Sequence, residues 1–156
     1  MASLVPIQPD EIPRWLAQQR KDYIEARVRS GEDQAHATRI ADLQITQLFP
    51  DGRPAPGQHV YRVFDGESVV GSIWIGHALD GPTDSWWVYD IQIEEPFRGR
   101  GLGKEAMLIA EAKARDGGAR DVGLNVFGHN HVARSLYESL GYETQSLRMS
   151  KNLNPT

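Results

Sequence analysis

Apolar residues recur at helical spacing in two stretches near the N-terminus. In the first, Ile12, Trp15, Leu16, Tyr23 and Ala26 share a face; Asp10 stands where an N-cap belongs, Pro13 suits the opening turn, and Ser30-Gly31 is the stop. In the second the stripe is Ala37, Ala41, Ile45 and Leu48, ended by Pro50-Asp51-Gly52 and the Pro54-Ala55-Pro56-Gly57 loop. Two strand-like runs follow, His59 to Phe64 and Ser68 to His77, joined by a tight Asp65-Gly66 turn, so an antiparallel hairpin is predicted. Asp80-Gly81-Pro82-Thr83 reads as a loop and Trp86 to Ile93 as another strand. Leu102, Ala106, Ile109, Ala110 and Lys113 predict a third helix from about Leu102 to Arg115, closed by Gly117-Gly118. Val122, Leu124 and Val126 alternate as a strand, a short fourth helix is expected from His131 to Ser139, and Tyr142 to Met149 is expected as the last strand. The stretch Met1 to Pro9, short and interrupted by prolines, is assigned no element. Two helices, two strands and then strand-helix-strand-helix-strand imply a mixed sheet with helices packed on it, of the α/β (α+β) class.

Length and charge narrow the range of partners. A chain of 156 residues fits one domain with one core. No apolar run approaches the length of a membrane span and no leader pattern opens the chain, so a cytoplasmic protein without a membrane partner is expected. The formal charge of −4 argues against a general nucleic-acid binder, although Arg98, Arg100 and Lys104 form a local basic patch. Cysteine is absent, which excludes a cysteine acyl-enzyme and thiolate metal sites. His129 and His131 flank a helix start without a nearby third ligand, so no metal is expected.

The most chemically specific stretch is Phe97-Arg98-Gly99-Arg100-Gly101-Leu102-Gly103-Lys104, between a strand and a helix. Alternating glycines let backbone N–H groups converge on one concavity, where the positive end of the helix dipole and the arginines favour an anion. A phosphorylated cofactor is the expected ligand. A Walker loop would need glycine where Arg98 stands and a hydroxyl residue where Glu105 stands; a dinucleotide fingerprint would need glycine in place of Lys104.

What remains, Arg-x-x-Gly-x-Gly, resembles the acyl-CoA pyrophosphate loop of the GCN5-related N-acetyltransferases (GNAT). Downstream, Leu124-Asn125-Val126-Phe127-Gly128-His129-Asn130, Ala133, Leu136-Tyr137-Glu138 and Leu140-Gly141-Tyr142 are similar to the family's following strand-helix-strand. Tyr23 to Gly31, Leu48-Phe49-Pro50-Asp51-Gly52 and Met149-Ser150-Lys151 resemble a bacterial subgroup whose members mostly lack an assigned substrate. The resemblance implies a single GNAT domain over residues 1–156, with a mixed, mostly antiparallel central sheet flanked by about four helices. It also implies acyl transfer, most often of acetyl, from acetyl-CoA directly to a primary amine. The acceptor is then a small-molecule amine or a peptide, and family habit implies a homodimer. A CoA-binding regulatory module without transferase activity, and an acetyltransferase of protein or peptide amines, are the competing readings.

By resemblance, Arg98, Gly99, Arg100, Gly101, Leu102, Gly103 and Lys104 cradle the cofactor's phosphates, the backbone of Ile91, Gln92 and Ile93 pairs with its pantetheine arm, and Asn130 and Tyr137 approach that arm. Tyr137 is the implied general acid for the departing thiolate; with an ordinary pKa of about 10 it stays protonated at neutral pH. Helix spacing alone favours a tyrosine at the edge of the core, and it is the surrounding Asn-x-x-Ala-x-x-Leu-Tyr pattern that turns the reading toward catalysis. Asn130 doubles as an N-cap. Val132, Leu136 and Leu140 form a stripe expected to bury against the sheet. Asp90, the one carboxylate in its strand, is the candidate base; the competing reading has it bound to a bulged backbone or facing solvent with Gln92. Glu94 and His129 stay open for that role. Trp74, Trp86 and Trp87 suit either core or acceptor pocket, and Tyr23 and Arg27 are candidate acceptor contacts.

Overall fold

The strand richest in apolar residues organises the molecule. Val70, Ile73, Trp74 and Ile75 are fully buried, as expected of a central strand covered on both faces. The computed structural model describes residues 1–154. Its elements are β1 (Ala2–Pro6), α1 (Ile12–Arg29), α2 (Gln34–Leu48), β2 (Gln58–Asp65), β3 (Ser68–His77), β4 (Ser85–Ile93), α3 (Leu102–Asp116), β5 (Asp121–Leu124) and α4 (His131–Ser139). The five strands lie in the order β1-β2-β3-β4-β5, antiparallel through β4, with β5 parallel to β4. The fold is the expected mixed, mostly antiparallel sheet with four helices. Among the described residues no helix is long and apolar enough to cross a membrane.

One face of the sheet packs Ile73, Ile75, Trp86 and Val88 against Leu102, Ala106, Met107 and Ala110 of α3. The other packs Trp74 with Trp15 of α1, Leu48 of α2 and Phe49 after it. Trp15, Phe49 and Trp74 meet at tilted or edge-on angles, with ring centroids 5.0–5.9 Å apart. Two of the buried indole N–H groups are satisfied: Trp15 Nε1–H donates to Ser72 Oγ at 2.9 Å and Trp74 Nε1–H to Gln58 Oε1 at 3.0 Å, whereas that of Trp86 has no partner among the described residues. These two bonds fix α1 and β2 relative to β3. Trp74 and Trp86 are therefore core residues.

Four local expectations are corrected. Met1 to Pro9 contains β1, an edge strand that pairs with β2 and lays Ala2 and Leu4 on the α3 cluster. Pro6, at its end, is tolerated because the strand lies at the sheet edge. Asp10 does not cap α1; it sits in a 3₁₀ turn, Pro9–Glu11, whereas Asp33 caps α2 by accepting from His36 N–H at 3.2 Å. Val132 leaves its stripe and is 85% exposed, since α4 turns Ala133, Leu136, Tyr137 and Leu140 to the core instead. Tyr142 to Met149 is assigned no regular element and pairs with no strand, and β5 ends at Leu124, before Val126.

Candidate active site

β4 and β5 separate along their length. Their parallel ladder runs from Ser85 opposite Asp121 to Val88 opposite Leu124 and then stops, although β4 continues to Ile93. From Tyr89 onward, β4 has β3 on one side and an open wedge on the other. The separation coincides with a β-bulge: Trp74 opposes Asp90 and Ile75 opposes Val88, which leaves Tyr89 as the extra residue. Trp86 and Val88 before the bulge, and Ile91 and Ile93 after it, all contact the α3 cluster. Tyr89 turns to the α1 side, stacked on Trp74 at 4.7 Å with its hydroxyl donating to the His77 carbonyl at 2.6 Å. Asp90 and Gln92 alternate with Ile91 and Ile93, so they take the α1 side as well.

Asp90 is half-buried in the mouth of the wedge. Burial pushes its carboxyl up to about 7; a long hydrogen bond from Gln92 Nε2 at 3.4 Å opposes the shift, and the charge of Asp22 on α1 adds to it. Asp90 follows the bulge and contacts Gln92. Asp22 was not foreseen. Its signal was the Gln18-Asp22 spacing on α1, where Gln18 Nε2 donates to Asp22 Oδ1 at 2.9 Å.

Tyr137, on α4, is 9% exposed. Burial raises its phenol to about 12, and the charge of Asp90 adds to the shift. Its ring meets Tyr142 edge-on at 5.9 Å, and Tyr142 donates to Glu111 Oε2 at 2.7 Å, fixing the end of α4 on α3. Asn130 caps α4 by accepting from Ala133 N–H at 3.2 Å.

The glycine loop closes the far end of the wedge. Gly99 and Gly101 adopt φ of +77° and +78°, strained for any residue with a side chain, and no atom lies within 4 Å of where a Cβ would stand. Gly101 is the N-cap of α3 and supplies no side-chain acceptor, so first-turn N–H groups of the helix face outward uncapped. A Cβ on Gly103 would lie 3.5 Å from Leu136 and 3.7 Å from Ile93, which places α3, α4 and the end of β4 side by side. Arg98 Nε–H donates to the Ile93 carbonyl at 2.7 Å, and Arg100 lies over the Phe97 ring at 5.7 Å and donates to the Pro96 carbonyl at 3.3 Å. Both guanidinium groups are thus held close to the uncapped helix end. Leu102 is buried, opens α3 and acts as the loop's anchor, and Lys104 lies in the helix's first turn.

The remaining candidates lie outside this wedge. Glu94 is exposed beyond the end of β4. His129 stacks on Phe127 and its Nε2 lies 3.3 Å from the Ala26 carbonyl of α1. Tyr23 accepts from Arg27 at 2.6 Å, and Arg27 pairs with Glu32 at 2.6 Å, so both are tied into the α1–α2 junction. Trp87 is half-buried against Gly123 of β5.

The chain matches the Acetyltransferase (GNAT) family over residues 14–142. It belongs to that family. Among GNAT proteins it is similar to YycN of Bacillus subtilis (strain 168), named an uncharacterized N-acetyltransferase, with 33% identity over 152 residues covering 96% of this chain and 97% of that protein. The crystal structure of YycN matches with a TM-score of 0.88 at 32% identity, covering 99% of this chain and 100% of that one. YdgE of the same strain, also named an uncharacterized N-acetyltransferase, is 24% identical over 97% of this chain and 98% of its own length. At 12% identity, AAC(6')-Iy in complex with the bisubstrate analog CoA-S-monomethyl-acetylneamine shares the fold, with a TM-score of 0.64 over 99% of both chains. YycN and YdgE are named as N-acetyltransferases, and neither name carries an acceptor.

Proposed function

We propose that the protein transfers acetyl from acetyl-CoA directly to a primary amine of a small molecule or peptide. The carrying observation is the wedge between β4 and β5, with Asp90 on β4, buried Tyr137 on α4 and an uncapped helix N-terminus at its end. The donor set fits CoA. Backbone N–H groups of Leu102, Gly103 and Lys104, with Arg98, Gly99, Arg100 and Gly101, would hold the pyrophosphate, and the open edge of Ile91, Gln92 and Ile93 would pair with the pantetheine amides as an added strand. Asn130, while capping α4, lies on the face of that helix that bears Tyr137.

Bound acetyl-CoA supplies an activated thioester. The protein's part is to bring the amine to it, remove one proton and return another. An amine arrives as the ammonium ion, and the carboxylates of Asp90 and Asp22 favour a cation there. A carboxyl near pH 7 is ionised often enough to accept the ammonium proton and, unlike an ordinary carboxylate, basic enough to do so effectively. Unpaired β4 N–H groups can donate to the carbonyl oxygen as negative charge develops on it. Tyr137, protonated throughout the neutral range, donates to the leaving sulfur.

Calorimetric titration with acetyl-CoA, with ATP and NAD as controls, tests the binding half; micromolar binding of acetyl-CoA alone is expected. Thiol release against a panel of polyamines, amino sugars and peptides tests the transfer half. A folded protein that does not bind acetyl-CoA would refute the assignment, and tight binding without thiol release against any amine would reduce it to a CoA-binding module.

A further inference from the structure

The tryptophans divide three to one. Trp15, Trp74 and Trp86 are buried in the two clusters that pack against the sheet. Trp87 is half-buried and joins neither cluster. Trp86 and Val88 point to α3, so alternation turns Trp87 to the α1 side, the face of β4 that also carries Asp90. The indole leans over β5 at Gly123, its partner in the ladder: a Cβ there would stand 2.7 Å from Cζ3 and 2.8 Å from Cε3. The ring thus fills the space that any other residue at 123 would need.

On the outer side of β5 lies a groove of about 1360 Å³. Trp87 reaches it across the strand; Tyr137, Phe127 and His129 also line it, with Leu147 and Met149 on the far wall. Because β5 ends at Leu124, the groove and the wedge meet at Tyr137. Three pairs of opposite charge neutralise each other along the groove, Arg27 with Glu32, Arg120 with Asp121 and Arg134 with Glu138. What Trp87 adds is aromatic surface that no packing partner in the core has taken up.

We propose that Trp87 selects the acceptor by packing against an aromatic or similarly flat apolar group carried at the end remote from the primary amine. This rests on the reading of the wedge as the transfer site. The amine enters the wedge at Asp90 and Tyr137 while the flat group lies on the indole. Trp87 and Asp90 stand three residues apart on one face of β4, about 10 Å along an extended strand, and that is the separation the acceptor has to span. Gly123 is the positioning residue, since it leaves room for the ring and touches no part of the acceptor's amine.

The test is calorimetric titration of the full chain, saturated with CoA, with 6-phenylhexylamine, whose extended chain spans that separation, and with hexylamine, benzylamine and hexamethylenediamine. The phenylhexylamine should bind ~10-fold more tightly than the other three. Trp87→Leu and, separately, Gly123→Ala should each bring it to the hexylamine level, the first by removing the indole and the second by pushing it aside. Acetyl-CoA affinity and the far-UV spectrum should be retained in both, a combination that a merely structural role for Trp87 would not give. Equal binding of phenylhexylamine and hexylamine by the unaltered protein would overturn the proposal. So would a preference that survives both substitutions, or tighter binding of the diamine, since the groove would then read charge. A failure of acetyl-CoA to bind the unaltered protein is a separate result: it would refute the transfer assignment, and the role of Trp87 would fall with it.

Discussion

The two sides of β5 are both gaps, yet they are built differently. On the β4 side the walls are finished: the bulge turns Asp90 and Gln92 to one face, Tyr137 is packed at its base, and an uncapped helix end closes one extremity. On the outer side the walls are unfinished, with an unpaired strand edge facing exposed Leu147 and Met149. Polar groups whose protonation is shifted by burial mark a gap for chemistry; apolar groups exposed without cover mark a gap for the body of a ligand. A strand of four residues separates the two.

Changes on the β4 side should have the larger effects on turnover. Tyr137→Phe keeps the ring packing and removes the proton, so kcat should fall at least ~10²-fold with little change in the acetyl-CoA KM. An unchanged kcat at saturating acetyl-CoA would exclude Tyr137 as the acid. Asp90→Asn should lower kcat/KM about 10²-fold at neutral pH and abolish the acidic limb of the pH profile, which in the unaltered protein falls as pH drops below about 7.

The same substitution makes a stability prediction. Asp90 has its folded pKa above the ordinary carboxylate value of 3.8, so the folded state holds the proton more tightly. Its contribution to stability is full below about pH 3.8 and is lost as pH rises through about 7. Asp90→Asn should therefore gain on the unaltered protein between those values and hold the advantage above them, read as a higher Tm at pH 8 than at pH 5 relative to the parent. A pH-independent difference would mean that the carboxyl titrates normally.

A smaller effect sharpens the contrast. Gly101→Val forces a branched side chain to φ of +78° and should raise the acetyl-CoA KM by about 10-fold.

Helical and hairpin elements were legible because their signals are local: the stripe of α2, the Asp65-Gly66 turn, and α4 from His131 to Ser139 all stand where periodicity puts them. The glycine loop was legible too, because it excludes other phosphate loops by single residues. What failed depends on partners. β1 forms because β2 offers it an edge, and Tyr142 to Met149 does not because no edge in the same chain lies within reach. The same division holds in the site. Tyr137 and Asp90 were named from pattern, but their common place at the wedge and the part of Asp22 depend on how α1, α4 and β4 pack, and no spacing along the chain encodes that.

The bulge at Tyr89 also bears on folding. Without it, the same strand paired residue for residue with β3 would drive Asp90 toward Ile73 and Met107, and Ile91 toward the wedge. Burying that carboxylate in hydrocarbon would cost several kcal/mol. The group proposed to accept the substrate's proton thus also proofreads the assembly of its own strand, because a misregistered sheet would carry its error as a buried charge.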